Sequence, residues 1–246
     1  MANKKYQISA FFPVYNDWGT IPTMVLLAEK VLKKIAADYE IILIDDGSNN
    51  LTKKVLETLS QKIENLRIIT HEKNKGYGGA LKSGFYNAKY ELIFYTDGDA
   101  QYNPLELEKL VEKMDDDVDI VNGYKISRQD PFYRKIIGRL YHYTTKIMFK
   151  FKIRDVDCDF RLIRKSLFDN LELKYNSGII CVEMISKFTA RGARFVEVPV
   201  THYFRVSGKS QFFNFKRIFR TGVHLLKLWY WIRIKKQYQN NPVQQV

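Results

Sequence analysis

Leu92-Ile93-Phe94-Tyr95-Thr96-Asp97-Gly98-Asp99-Ala100-Gln101 runs from a continuous apolar segment straight into two carboxylates one residue apart. An unbroken apolar run of this length reads as a strand buried on both faces, the type found in a parallel sheet covered by helices. Asp97 and Asp99 are spaced to hold one divalent cation, and Gln101 adds a neutral oxygen. Hard cations such as Mg²⁺ take oxygen ligands and are commonly shared with substrate phosphates. The alternative is an exposed acidic turn ahead of a helix that Pro104 begins. The cation reading explains better why two like charges stand side by side. It points to metal–diphosphate chemistry.

The same pattern recurs upstream. Glu40-Ile41-Ile42-Leu43-Ile44 ends in Asp45-Asp46-Gly47-Ser48. Further strands are expected over 7–14, 66–70, 91–96, 119–123 and 194–201, and helices over 20–37, 51–63, 76–88 and 104–114. This alternation predicts an α/β fold with a mostly parallel central sheet flanked by helices. Ligands of such sheets gather beyond the carboxyl ends of the strands, so Asp17, Asp46 and the Asp97/Asp99 pair should share one rim. Asp46 can accept from a ribose or a base edge, or it can simply close a turn in which Gly47 takes positive φ; both readings stand. Asn74-Lys75-Gly76-Tyr77-Gly78-Gly79-Ala80 has neither P-loop nor GxGxxG spacing. Its glycines suit close approach of backbone to a ligand, or close packing of helix on sheet.

The 246 residues carry 40 Lys+Arg against 27 Asp+Glu, a formal charge of +13. That excess implies an anionic partner: nucleic acid, a phosphorylated substrate or an acidic membrane. No nucleic-acid module is recognisable, so a non-catalytic nucleic-acid binder is the remote alternative. Cys158 and Cys181 form no CxxC pair and the four histidines are dispersed, which argues against a disulfide framework or a zinc site. No stretch reaches the roughly 20 apolar residues of a spanning helix. The expected location is cytoplasmic, peripheral at the inner face of a membrane, with a membrane-protein partner as a further expectation there.

Two segments support that expectation. Lys135, Arg139, His142, Lys146 and Lys150 share one face of a helix expected over 132–151. In 212–235, Lys216, Arg220 and Lys227 share a face, while Phe219, Val223, Leu226, Trp229 and Tyr230 offer apolar surface. This is the pattern of a helix lying in an anionic membrane surface, with a core-packed terminal helix as the alternative. The expected division is a domain over 1–211, followed by an amphipathic helix and polar tail over 212–246.

These motifs, in this order, resemble the family 2 glycosyltransferases, and more narrowly the dolichyl- or polyprenyl-phosphate mannose synthases, from about Ile8 to Gln211. Pro13-Val14-Tyr15-Asn16-Asp17 is similar to the family's first motif and Ile44-Asp45-Asp46-Gly47-Ser48 to its second. Asn74-Lys75-Gly76, with Ala80 and Gly84, is similar to the third, and Asp97-Gly98-Asp99-Ala100-Gln101 to the metal motif. Asp155-Val156-Asp157-Cys158-Asp159-Phe160-Arg161 resembles the mid-chain Asp-x-x-x-Gly-Phe-Arg. Glu183, Glu197-Val198-Pro199, and Arg205 with Gly208-Lys209-Ser210 resemble the closing motifs.

The resemblance implies a GT-A fold and a nucleotide diphosphate sugar donor. Pro13, Tyr15, Asp17, Ile44 and Asp46 would line the nucleoside pocket. Asp97, Gly98, Asp99 and Gln101 would sit at the donor, with Asp97, Asp99 and Gln101 holding Mg²⁺ or Mn²⁺. Lys125, Arg205 and Lys209 would meet the donor phosphates. Arg128, Arg134 and Arg139 would meet the phosphate of a polyprenyl phosphate acceptor. Asp99, Arg128, Arg139 and Arg205 would carry the catalytic roles in an inverting transfer. The chain departs from the family pattern in having Asp17 for Glu, Lys125 for Arg, Asp159 for Gly and Gln211 for a frequent Lys. A dianionic phosphate acceptor needs no general base, whereas a sugar hydroxyl usually does. The chain has no clear Glu-Asp base motif in its second half, which favours the phosphate. A saccharide hydroxyl acceptor, with Asp157 or Asp159 as base, is the competing reading.

Overall fold

The computed structural model describes residues 5–126, 132–205 and 215–236. The chain alternates strand and helix: β1 Gln7–Val14, α1 Ile21–Ile35, β2 Asp38–Asp45, α2 Asn50–Lys62, β3 Leu66–Thr70, α3 Tyr77–Asn87, β4 Leu92–Thr96. A 3-10 turn at Pro104–Glu106 leads into the short α4 Leu107–Val111, then come β5 Ile120–Lys125 and α5 Phe132–Phe149. The remainder is β6 Phe160–Arg164, α6 Ile179–Ala190, β7 Phe195–Val200 and α7 Phe215–Trp229, which continues as a π-helical turn over Tyr230–Ile234.

The strands form one sheet in the order β3-β2-β1-β4-β6-β5-β7. All pairings are parallel except those of β6, which runs antiparallel to both β4 and β5. The expected mostly parallel α/β sheet is therefore what forms. Successive residues of a strand point to opposite faces, and two apolar layers follow from that. Ile8, Ala10, Phe12, Ile41, Leu43, Leu92 and Phe94 pack in one layer with α1 and α4. Phe11, Ile42, Ile44, Ile93 and Tyr95 pack in the other with α3 and α6.

Close approach of α3 to the sheet depends on Gly84. A Cβ there would lie 2.4 Å from the Phe11 ring. The 104–114 segment differs from the single helix expected: Asn103 caps a 3-10 turn by accepting from Leu105 N, and only 107–111 is α-helical.

α7 joins the second layer through Leu225, Leu228 and Ile232. It leaves Leu226, Tyr230, Trp231 and Ile234 exposed, and Leu140, Tyr143 and Ile147 of α5 are exposed as well. Among the described residues no helix is long and apolar enough to cross a membrane.

Candidate active site

The order β2-β1-β4 brings the loops after these three strands side by side. Asn16 N donates to Ser48 Oγ at 3.1 Å and Asn49 N to Asn16 Oδ1 at 2.9 Å, joining the β1 and β2 loops. Thr20 Oγ1 donates to Gly98 O at 2.7 Å, joining the β1 and β4 loops. Asp17 Oδ2 accepts from Tyr15 N at 3.0 Å. Burial raises the Asp17 carboxyl above its ordinary range, and repulsion from Asp99 adds to that.

The two acids that follow β4 have different partners. Ala100 adopts φ +60°, a conformation uncommon for a residue with a side chain. In this turn Asp99 Oδ1 accepts from Gln101 N at 3.1 Å. Asp99 Oδ2 is paired with the Arg205 guanidinium. Gln101 is tied to the segment bearing that arginine, since its Nε2 donates to Tyr203 O at 3.2 Å and its carbonyl accepts from Tyr203 N at 2.8 Å. Its Oε1 is then the group available as a neutral ligand.

Asp97 Oδ1 instead accepts from the Tyr77 hydroxyl at 2.8 Å. Burial, then repulsion from Asp159 and Asp99, raises Asp97 well above the usual carboxylate range. Asp159 stands beside it because β6 runs backwards and starts opposite Thr96. Its Oδ1 accepts from Cys181 Sγ at 3.1 Å and lies 3.4 Å from Arg161 Nη1. Arg161 is wholly buried and donates to Asn122 Oδ1 at 2.5 Å, so a fixed positive charge underlies this group of acids.

Among the described residues no group of three or more His, Cys, Asp or Glu side chains is arranged to hold a metal. The rim thus presents Asp99 and Gln101, with Asp97 behind them. Such a sparse oxygen set suits a hard cation that completes its shell with water and phosphate oxygens.

A family model described as glycosyl transferase family 2 matches residues 9–172, about two thirds of the chain. The chain belongs to glycosyl transferase family 2. Its fold is shared by glucosyl-3-phosphoglycerate synthase from Mycobacterium tuberculosis, solved with Mn²⁺, uridine diphosphate and phosphoglyceric acid. That likeness has a TM-score of 0.68 at 13% identity, over 97% of this chain and 80% of the other. A mannosyltransferase from Pyrobaculum calidifontis, solved with GDP-Man and Mn²⁺, gives a TM-score of 0.66 at 17% identity, over 96% of this chain and 66% of that one. These glycosyltransferases share the GT-A fold.

In this family 2 glycosyltransferase, the other expected site residues are placed unevenly. Pro13 is buried beneath Gly98, its carbonyl 3.2 Å from where a Cβ on that glycine would stand. Tyr15 is exposed at the rim. Ile44 is fully buried in the core layer, so only its backbone is near the rim. Asp46 is 3% exposed and spends its carboxylate inside the protein, on Lys75 N, Gly76 N and His71. Its neighbour Asp45 keeps Oδ2 buried with no partner, while Oδ1 accepts from Ser48 N at 2.8 Å.

Lys125 reaches inward to Asp157 O at 2.7 Å and lies 3.8 Å from Asp155 Oδ2. Arg128 and Lys209 lie outside the described residues, as do the side chains of Arg134 and Arg139 on α5. Glu183, on α6, is wholly buried. It accepts from Lys174 N and Tyr175 N and pairs with Lys187 at 2.6 Å.

Sequence reasoning missed Tyr77 and His71. Tyr77 stood inside the glycine-rich stretch, but nothing in the spelling linked it to Asp97. His71 was one of four scattered histidines.

Proposed function

We propose that this family 2 glycosyltransferase moves one sugar from a nucleotide diphosphate sugar to a polyprenyl phosphate, inverting the anomeric centre, with Mg²⁺ or Mn²⁺ bound. The observation that carries the reading is the Asp99–Arg205 pair on the loop after β4, with Gln101 fastened beside it. A guanidinium already stands where Asp99 would face a cation, so the donor set fits a divalent ion. When bound, that ion supplies Lewis-acid stabilisation of the departing diphosphate. Asp97, Asp99 and Gln101 would hold it, and Arg205 would pair with the diphosphate oxygens. The Mn²⁺ and nucleotides bound by the two structural neighbours support the donor class.

The acceptor assignment rests on the carboxylates of the second half. Asp155 faces Lys125, Asp159 faces Arg161 and Cys181, Glu183 is sealed by Lys187, and Glu197 accepts from Arg154 N at 2.7 Å. Each of these four is already engaged, which disfavours a hydroxyl acceptor in need of a base and narrows that competing reading to Asp157. A phosphate dianion brings its own nucleophilic oxygen.

The exposed apolar residues of α5 and α7 stand among Lys146, Arg220, Lys227 and Lys235. This mixture supports peripheral attachment to an anionic lipid surface, at the cytoplasmic face where such lipids and nucleotide sugars meet.

The test offers a nucleotide-sugar panel with Mn²⁺ and, side by side, a short polyprenyl phosphate and free glycans. Transfer to the lipid phosphate is expected, with release of nucleoside diphosphate. Asp99→Ala should lose transfer while its melting midpoint stays near the parent's. Turnover at the parent rate by that variant, or product formed only on glycans, would overturn the proposal.

A further inference from the structure

Asp46 does not stand alone. Its Oδ1 accepts from Lys75 N at 2.7 Å and lies 2.7 Å from His71 Nδ1, and its Oδ2 accepts from Gly76 N at 2.9 Å. On the other side of the ring, His71 Nε2 lies 2.8 Å from Ser83 Oγ. His71 itself is 4% exposed, and its backbone N donates to Asp45 O at 2.9 Å. One imidazole thus ties together the end of β2, the end of β3 and the middle of α3.

The proton positions follow from donor and acceptor chemistry. A carboxylate only accepts, so Nδ1 carries the hydrogen toward Asp46. In the neutral ring Nε2 is then bare and accepts from the Ser83 hydroxyl. A histidine held this way has one tautomer and one orientation.

The held segment leads directly to the acids of the site. Gly76 takes φ +82°, and a Cβ on it would lie 2.6 Å from Asn176 O. Gly78 N donates to that same carbonyl at 2.9 Å. Between these two fixed points stands Tyr77, whose hydroxyl donates to Asp97. The sequence of contacts therefore runs Ser83, His71, Asp46, the amides of Lys75 and Gly76, Tyr77, Asp97.

We infer that His71 and Ser83 are positioning residues, which act through Asp46 to set the 74–77 turn and so fix Asp97 for the metal and the donor. Neither side chain touches substrate. The inference rests on the donor reading above for its biological meaning, but the linkage to Asp97 is measurable without any sugar.

The experiment compares His71→Asn, His71→Leu and Ser83→Ala with the parent. The asparagine amide puts Nδ2 where Nδ1 stood and keeps the bond to Asp46. Leucine removes it. Affinity for Mn²⁺ alone is read by electron paramagnetic resonance and affinity for nucleoside diphosphate with Mn²⁺ by calorimetry. Histidine tautomers are read by ¹⁵N-edited NMR of the parent. His71→Leu should weaken Mn²⁺ and nucleotide binding about tenfold, the scale of one buried charge-assisted hydrogen bond. His71→Asn should stay within about threefold, and Ser83→Ala between the two.

Equal losses in the Asn and Leu variants would overturn the inference. So would a folded His71→Leu protein with parental Mn²⁺ affinity, or a His71 ring with hydrogen on Nε2 only. If His71→Leu does not fold, Ser83→Ala and the tautomer decide the question. A parent that binds Mn²⁺ but no nucleotide sugar would refute the donor reading and leave the metal comparison standing.

Discussion

Arg205→Gln should make the protein bind Mn²⁺ more tightly when no nucleotide is present. In the structure Asp99 Oδ2 is taken by the Arg205 guanidinium, and any cation seeking that oxygen must displace it. The Asp99 side chain is 6% exposed and that of Arg205 33% exposed, so the pair lies between a buried and a surface ion pair. Charge-assisted hydrogen bonds contribute about 1.5–3 kcal/mol when buried, and exposed pairs rather less. An intermediate figure of about 1–2 kcal/mol corresponds to roughly 5–30-fold in affinity. The glutamine keeps a hydrogen-bonding amide and removes the charge. Titrating Mn²⁺ against both proteins by electron paramagnetic resonance, without nucleotide, reads this directly. With nucleoside diphosphate present the order should reverse, since the variant has lost a cation for the phosphates. An unchanged or weaker Mn²⁺ affinity in the nucleotide-free variant would refute the competition. A gain that persisted with nucleotide would refute the second role of Arg205.

Two further outcomes follow from buried charge. Asp97→Asn should stabilise the metal-free protein at pH 7 by about 0.5–2 kcal/mol, because burial and the neighbouring Asp159 and Asp99 raise the Asp97 carboxyl. A carboxyl raised in the fold keeps its proton where the unfolded chain has lost it. The ionisation penalty is therefore absent below the ordinary carboxylate range and grows as pH rises, so the gain should vanish in acid; a gain independent of pH would contradict this. Lys187→Met leaves the Glu183 carboxylate sealed without its counter-ion, both side chains being fully buried. The expected loss is about 3–5 kcal/mol, roughly 6–20 °C in melting midpoint for a chain of this length, and a shift under 2 °C would argue against it.

The parallel core was legible because its strands are apolar on both faces. Segments 40–44 and 92–96 admit no other burial, and the acids at their ends mark the rim on which Asp17 and Asp99 do meet. β6 and α6 went unread for opposite reasons. β6 is five residues long and carries Arg161, whose charge reads as surface until Tyr95, Asn122 and Asp159 are seen around it. α6 is buried from Ile179 through Phe188, so it has no polar stripe to betray a helical period. At the site, spelling could place Asp46 at a strand end but not its direction. The carboxylate faces the turn at 74–76 because two backbone amides and an imidazole compete for it within 3 Å. For Lys125 the rim position was legible, while its inward reach depends on the Asp155–Asp157 backbone, which no spacing rule places.

The reversed course of β6 has a consequence for the rim. A parallel strand hands its exit to the cleft, whereas β6 hands over its entrance, bringing the 155–159 segment alongside the ends of β4 and β5. The 155–159 segment thus joins the rim from a separate stretch of chain, held from below by Arg161, which donates to Asn122 Oδ1 and to Val156 O. A substitution at Asp159 would therefore be felt at Asp97, whose carboxyl that neighbour helps to raise, so the two stretches form one electrostatic unit although they lie far apart in the chain.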